Sequence, residues 1–411
     1  MMQMEVWNQK SRLLITCTSG IAPYLEAELK SLGFPILQVL PLGVFTEGTL
    51  SETIALNLQL RTGLRVLYHL HSFQAENADE VYFQLQSLPW ESLFPTDGYV
   101  CVTSAVSTPS IQDDRYANVR CKDAIVDRFQ HQVGRRPDSG PQRDRSVVFL
   151  YWKDNSASIY IDTSGEPLSR RGYRKIPFKA PMQETLAAAV LLAAAWEGEC
   201  HFVNPMCGSG TLAIEAAMMA IHKAPGLLRH NFGFMHIKGF DSDHYQSWRR
   251  QLRESTLKKH PYRIVLGDID PQAIAAARQN AKTAGVDGFL EFHVGDFRRT
   301  PIPAGDGVIM MNPAYGMRLG EEKALQTLYQ SIGDFFKQSC SGYRGFIFTG
   351  NLSLAKKVGL KSTRRLVFYN GPIESRLLEY DLYAGRRERD KLEQKMSPGA
   401  SNGEEESGSS A

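Results

Sequence analysis

An α+β region followed by a doubly wound parallel α/β sheet is the fold class that the sequence predicts, on two observations. From about residue 181 onward, helix-like and strand-like segments alternate, the pattern of a sheet wound with helices on both faces. Ahead of that point, strands and helices follow one another without strict alternation, as in α+β folds.

The elements follow in order. "SRLLITCTSG" reads as a strand, "IAPYLEAELKSLGF" as an amphipathic helix stopped by Gly33, and "ILQVLPLGVFTEG" as further strand material. A second unit begins near residue 60. It has a helix around "ADEVYFQLQSLPWESLF", a strand "YVCVTSAV", a helix "ANVRCKDAIVDRFQHQVG", and strands "SVVFLYWKD" and "SASIYIDTSG". "TLAAAVLLAAAW" is apolar all round but too short to span a bilayer, so it reads as a buried helix. Then come the strand, turn and helix of "HFVNPMCGSGTLAIEAAMMA", the strand "RIVLGDID" and the helix "PQAIAAARQNAKTAG". Strands "LEFHVGDF" and "GVIMMNP" and further helices complete the series. The expected divisions are 1–60, 61–165, a basic linker 166–184, a doubly wound domain 185–390 and a disordered polar tail 391–411.

Composition narrows the function classes. Apolar residues make up 43% and charged residues 22% of 411, which is ordinary for a soluble globular protein. The N-terminus has no long apolar run, so neither a signal peptide nor a membrane anchor is expected. Six cysteines without a C-x-x-C pair argue against zinc and disulfides and favour a reducing, cytoplasmic setting. No H-E-x-x-H occurs, His69 and His71 read as structural or solvated, and no metal is expected. A net charge of +3 says little, but its distribution says more. "SRRGYRKIPFKA" carries Arg170, Arg171, Arg174 and Lys175 without an acid, and an Arg-rich stretch ends in Arg135 and Arg136. One such run is usually a solvated face. Two, with Tyr173 and Phe178 interleaved, point to phosphate contacts on a nucleic acid.

The chemistry is written at strand ends. In "NPMCGSGT", Gly208 and Gly210 would let the backbone pass close to a ligand, with Pro205, Cys207 and Thr211 beside it. Cys207 itself reads as a small packing residue rather than a nucleophile. A dinucleotide site fails twice, lacking the third glycine and the acid about 20 residues on. A nucleoside site survives. Asp268 closes an apolar strand and could accept ribose hydroxyls, while Asp270 before Pro271 reads as a helix cap. Asp296 ends the next strand, where it could accept from an adenine amino group with Phe297 beside the ring. The fourth strand end, "MNPAYGMRL", could hold an exocyclic amine between the Asn312 carboxamide oxygen and the Pro313 carbonyl, with Tyr315 stacking on the base.

On these motifs the C-terminal half resembles the class I S-adenosylmethionine-dependent methyltransferases with an N-P-P-Y motif, which have a Rossmann-like sheet. The first half resembles a THUMP-type RNA-binding region, through "CKDAIVDRF", "GRRP", "IYIDTSGEPLSRRGYR" and "APMQETLAAAVLLAAAW". Together they resemble the bacterial guanine-N2 methyltransferases of 23S ribosomal RNA, over nearly the whole chain except the tail. The resemblance implies S-adenosyl-L-methionine as cofactor and 23S ribosomal RNA or a large-subunit precursor as partner. It assigns Asn204, Gly208 and Gly210 to cofactor contact, Asp268 to ribose, Asp296 to adenine, and Asn312, Pro313 and Tyr315 to the target amine. Two positions depart from the family pattern: Ala314 replaces the second proline, and Asn204 replaces the usual Asp. Rival readings are a transfer-RNA guanine-N2 enzyme, an adenine-N6 enzyme, and a catalytically inactive RNA-binding or assembly protein.

Overall fold

The computed structural model describes residues 6–111, 113–178, 181–315 and 322–383; the expected tail, 391–411, lies outside them. Strand β1 (Ser11–Thr16) buries Leu13 and Ile15 on alternate positions, the period of a strand with one covered face. Helix α1 (Ala22–Ser31) buries Ala22, Leu25 and Leu29, spaced to share one stripe. Strands β2 (Gln38–Leu40) and β3 (Gly43–Gly48) follow, then helix α2 (Leu50–Gln59) and strand β4 (Arg65–Gln74). Sequence reading missed α2 and β4. The signal for α2 was a capping box: Thr49 Oγ1 accepts from Glu52 N at 3.1 Å, and Glu52 Oε2 accepts from Thr49 N at 2.7 Å.

The second unit contains α3 (Ala78–Ser87), α4 (Trp90–Leu93), β5 (Tyr99–Ser107), α5 (Asp114–Val133), β6 (Asp138–Ser139), β7 (Ser146–Lys153) and β8 (Ser156–Asp162). The single helix expected over 78–94 is broken at Pro89, which lacks an N–H and disfavours helix at the residue before it. All eight strands form one sheet, in the order β2-β3-β1-β4-β8-β7-β5-β6. The expected division at residue 60 therefore cuts through a continuous sheet, whose halves meet where β4 pairs with both β1 and β8.

The second half contains α6 (Glu184–Ala193), β9 (His201–Asn204), α7 (Thr211–Ala220), α8 (Ser242–Glu254), β10 (Ile264–Asp268), α9 (Pro271–Ala284) and β11 (Leu290–Val294). It continues with β12 (Gly307–Met311), α10 (Glu322–Ser339), β13 (Tyr343–Thr349), α11 (Leu352–Ala355), β14 (Arg364–Asn370) and β15 (Ile373–Asp381). The sheet order is β11-β10-β9-β12-β13-β15-β14, with the first five strands parallel and β15 antiparallel to both of its neighbours. The chain leaves β9 toward β10 on one side and later returns to β12 on the other. That reversal opens a crevice at the carboxyl ends of β9 and β12.

Adjacent β9 residues face opposite layers: Phe202 joins one buried apolar cluster and Val203 the other. The first cluster runs from Trp7 and Leu13 through Trp196 to Phe368 and Leu377, so the two halves share one core. Within 166–184, expected as a basic linker, Leu168, Ser169, Arg171 and Tyr173 are embedded between them. Arg171 and Tyr173 are each only 1% exposed.

Candidate active site

Because five strands run parallel, their carboxyl ends gather on one edge, and the motifs written there come together. They line a cleft of about 940 Å³. Pro205, Met206, Cys207 and Gly208 enter it from the loop after β9, Asp268 and Ile269 from the end of β10, and Asp296 and Phe297 from the end of β11. Asn312, Pro313, Ala314 and Tyr315 enter from the loop after β12.

Asp268 already organises the glycine loop. Its Oδ2 accepts from Gly208 N at 2.9 Å and its Oδ1 from Asp270 N at 3.0 Å. Each oxygen keeps a second lone pair for a ligand hydroxyl. Asp270 caps α9 by accepting from Gln272 N, with Pro271 in the first turn. Asp296 is held by Arg298: Oδ1 accepts from its backbone N (2.9 Å) and Nε (2.8 Å), and Oδ2 from Nη2 (2.7 Å). These bonds lower its pKa to about 2. Oδ2 retains the capacity to accept one further donor. Phe297 lines the cleft but is only 8% exposed, its ring edge-on to Phe335 in the core.

The two glycines of the loop do different work. Gly208 (φ +52°) has open space where a Cβ would stand, so a side chain there would project into unfilled volume. At Gly210 (φ +86°) a Cβ would lie 2.9 Å from Ala277 Cβ. Gly210 therefore serves close packing of α7 on α9, and the expectation that it faces the ligand is corrected. Asn204 stands one residue behind the cleft lining, and its Oδ1 has no hydrogen-bond partner among the described residues. It is still paired in the strand, opposite Leu266, is 0% exposed, and donates from Nδ2 to Met310 O at 2.8 Å. The chain turns into the cleft only at Pro205. Thr211 lines the cleft, and its Oγ1 accepts from Arg174 at 3.2 Å. Burial, followed by the neighbouring Asp268 carboxylate, pushes the Cys207 thiol well above the usual range, which leaves it protonated and unsuited to attack.

At the fourth strand end, Asn312 Oδ1 is shielded from solvent and has no hydrogen-bond partner among the described residues. A buried amide oxygen without a donor is costly, so it marks a place where a ligand donor fits. Tyr315 sits beside it with its hydroxyl accepting from Asn370 Nδ2 at 2.8 Å.

Further contributors were missed by sequence reading. Ile269, 70% exposed, offers an apolar face between the acids. Asn370 and Ile373 reach the cleft from the β14–β15 hairpin, whose Gly-Pro turn (Gly371, Pro372) between strand-like runs was a readable signal. Asn280, on α9, staples a strap over the glycine loop. Its Oδ1 accepts from Lys175 N (2.9 Å) and Ile176 N (3.1 Å), and its Nδ2 donates to Ile176 O (3.0 Å) and Ser209 O (3.2 Å). A polar residue on the apolar stripe of Ala273, Ala277 and Ala284 was the signal there. The strap brings Phe178, Pro181 and Met182 over the cleft.

The expected basic patch divides. Arg170 and Lys175 are exposed, Arg170 pairing with Glu166. Arg135 and Arg136 are exposed after α5, and Arg136 lies 3.3 Å from Asp127. Arg171 instead donates to Leu168 O (2.8 Å) and to Arg61 O, and its Nε lies 3.6 Å from the buried Glu215 carboxylate. Arg174 binds Met182 O (2.6 Å) and pairs with Glu184 at 3.3 Å. Both are corrected from phosphate contacts to internal ties, because the segment carrying them is packed between the two halves. Among the described residues, no cluster of three His, Cys, Asp or Glu is placed to hold a metal, and no helix is long and apolar enough to cross a membrane.

Residues 171–379, half of the chain, match the family model of the RMKL-like methyltransferase domain. The chain belongs to the RMKL-like methyltransferase family. Ahead of that domain, residues 12–67 match the RlmL ferredoxin-like domain and residues 75–162 match the THUMP domain. The "Ribosomal RNA large subunit methyltransferase K/L" of Psychromonas ingrahamii is 37% identical over 89% of this chain and 49% of its own length. That of Syntrophotalea carbinolica is 37% identical over 90% of this chain and 53% of its own. The chain thus spans about half the length of the curated relatives it matches. Among solved structures, SMU.472, described as a putative methyltransferase and complexed with SAH, is 29% identical with a TM-score of 0.82, covering 92% of this chain and 99% of its own. A Listeria monocytogenes protein described as a predicted N6-adenine-specific DNA methylase is 28% identical with a TM-score of 0.83, over 93% of this chain and 98% of its own.

Proposed function

We propose that this RMKL-like methyltransferase moves a methyl group from S-adenosyl-L-methionine to the N2 exocyclic amine of a guanine in 23S ribosomal RNA. The observation that carries the reading is the unpartnered, shielded Oδ1 of Asn312 in the same cleft as the carboxylates of Asp268 and Asp296. Support for the cofactor comes from the SAH-bound relative and from the room in front of Gly208. Support for the RNA comes from the THUMP domain and the names of the curated relatives.

The residues present fit S-adenosylmethionine. Asp268 would accept from the ribose, Asp296 Oδ2 from the adenine amino group, and Ile269 would lie against the adenine ring. The cofactor supplies a methyl group already activated on a sulfonium, so no metal is needed at the target. The remaining difficulty lies in the nucleophile, because the lone pair of a guanine amine is delocalised into the ring. Asn312 Oδ1 would accept one amine hydrogen and the Pro313 carbonyl the other, drawing the nitrogen toward tetrahedral geometry. As the N–CH3 bond forms and the sulfonium S–CH3 bond breaks, the thioether departs and the amine sheds one proton to solvent. Tyr315 stacks on the extruded base. Phe178, Pro181, Met182 and Ile373 keep water from the site, and holding the partners in line supplies most of the rate. Arg135, Arg136, Arg170 and Lys175 contribute phosphate contacts.

The test is transfer from labelled S-adenosylmethionine to 23S ribosomal RNA and to transfer RNA, both from cells lacking this protein, followed by nucleoside mass spectrometry. N2-methylguanosine in 23S RNA is expected. N6-methyladenosine, label in transfer RNA alone, or no transfer would each overturn the proposal. Asn312→Ala should lower the single-turnover rate by about 10²-fold, by analogy with loss of one preorganised polar group, while cofactor and RNA still bind.

A further inference from the structure

The β14–β15 hairpin is packed along its length. Tyr24 of α1 stacks on Phe368 at 5.6 Å, and Gly20 lies against the Val367 carbonyl so closely that a Cβ would stand 2.7 Å from it. Phe368 and Leu377 belong to the shared core. The tip of the hairpin is therefore carried on a fixed base. There Asn370 pairs with Ile373 across a two-residue turn, with Gly371 at φ +61°.

That tip meets the ring of Tyr315. Asn370 Nδ2 donates to the phenolic oxygen at 2.8 Å across 55 residues of sequence. The ring edge lies against Gly350, at the end of β13, where a Cβ would fall 3.0 Å from Tyr315 Cε2 and 2.8 Å from Ile373 Cγ2. Two separate pieces of chain, the hairpin tip and the end of β13, thus meet one aromatic ring. The carboxamide nitrogen of Asn370 can only donate, so the phenol acts as acceptor. A ring that must stack on a base gains from being held beforehand, because the entropy of ordering it is then already spent.

We propose that Asn370 is a positioning residue for methyl transfer: its Nδ2 fixes the plane of Tyr315, and with Ile373 the hairpin tip forms the outer wall of the target-base site. This rests on the reading that Tyr315 stacks on the target base. Asn370 does not touch the reacting atoms and acts through the ring.

The experiment combines a reaction-independent readout with a mutant cycle. Tyr315 is replaced by 3-fluorotyrosine and its fluorine resonance recorded in the full chain with and without Asn370→Ala. A single sharp resonance is expected with Asn370 present, and a broadened or doubled one without it. Single-turnover transfer to 23S RNA is then measured for Asn370→Ala, Tyr315→Phe and the double variant. Asn370→Ala should lose about 10-fold with unchanged cofactor affinity, as expected for loss of one partly buried hydrogen bond. The double variant should be no slower than Tyr315→Phe. An unchanged fluorine signal, an unchanged transfer rate, or single losses that multiply in the double variant would each overturn the positioning role. If the wild-type chain fails to methylate RNA while the fluorine signal still depends on Asn370, the ring is held but the reading of its purpose fails.

Discussion

Replacing Arg171 by Met tests whether the basic run is a surface or part of the core. Methionine keeps much of the aliphatic stem, so packing is largely preserved and the guanidinium is what is lost. In the structure that group donates to Leu168 O at 2.8 Å, to Arg61 O and to Leu60 O at 3.4 Å, and it faces the buried carboxylate of Glu215. Removing it leaves Glu215 with the Tyr173 hydroxyl at 3.1 Å and the charge of Arg61. Burial already raises the pKa of Glu215, and the Arg171 charge is the largest influence pulling it down. Breaking a buried pair from one side costs about 3–5 kcal/mol, because an uncompensated charge stays behind. The remaining Arg61 charge offsets part of that cost and the lost hydrogen bonds to carbonyls add to it, so a loss within that range is expected. Denaturant unfolding followed by tryptophan fluorescence should show that loss. Arg171→Met/Glu215→Gln should recover at least about 1 kcal/mol relative to the sum of the single losses, since the stranded charge is gone. The salt dependence of RNA binding by the folded Arg171→Met variant should match wild type. A loss below about 1 kcal/mol, with a salt slope flatter by about one unit, would place Arg171 on a phosphate and refute the argument.

Two further outcomes follow from the cleft. Gly210→Ala should destabilise the fold by about 2–4 kcal/mol, the sum of a left-handed residue and an overpacked helix contact, whereas Gly208→Ala should cost about 1–2 kcal/mol and weaken cofactor binding instead; unfolding midpoints and calorimetry separate the two, and equal stability losses would contradict the assignment. Asp296 is lowered below its unfolded value of 3.8, so the stability it contributes is fully present above that value and is lost as pH falls through about 2. Titration of its labelled carboxyl carbon by NMR should therefore show no protonation between pH 8 and about 4, whereas Arg298→Ala should return the midpoint toward the ordinary aspartate range. A wild-type midpoint near 4 would mean that Arg298 does not hold it.

The parallel sheet and the grouping of motifs at its edge were legible in the sequence, because both rest on local patterns. Alternation of "RIVLGDID" with "PQAIAAARQNAKTAG" fixes strand and helix through periodicity alone. Once the strands are parallel, Gly208, Asp268, Asp296 and Asn312 must emerge on the same side. What periodicity does not carry is which charges are buried. Arg170 and Arg171 are neighbours in one basic run, yet one is exposed beside Glu166 and the other is sealed against Glu215. Nor does it carry contacts made across the chain. Asn280 on the strap and Asn370 on Tyr315 are separated from their partners by about a hundred and by 55 residues. Gly208 and Gly210 share one loop, and the difference between them arises only from Ala277 on another helix. The sequence by itself determined the strand–turn–helix pattern around β9 to β12 and which residues stand at those strand ends, since each is set by a handful of consecutive residues. The tertiary structure decided which polar groups are spent inside the fold and which remain to meet a ligand, since burial depends on what the rest of the chain packs against them.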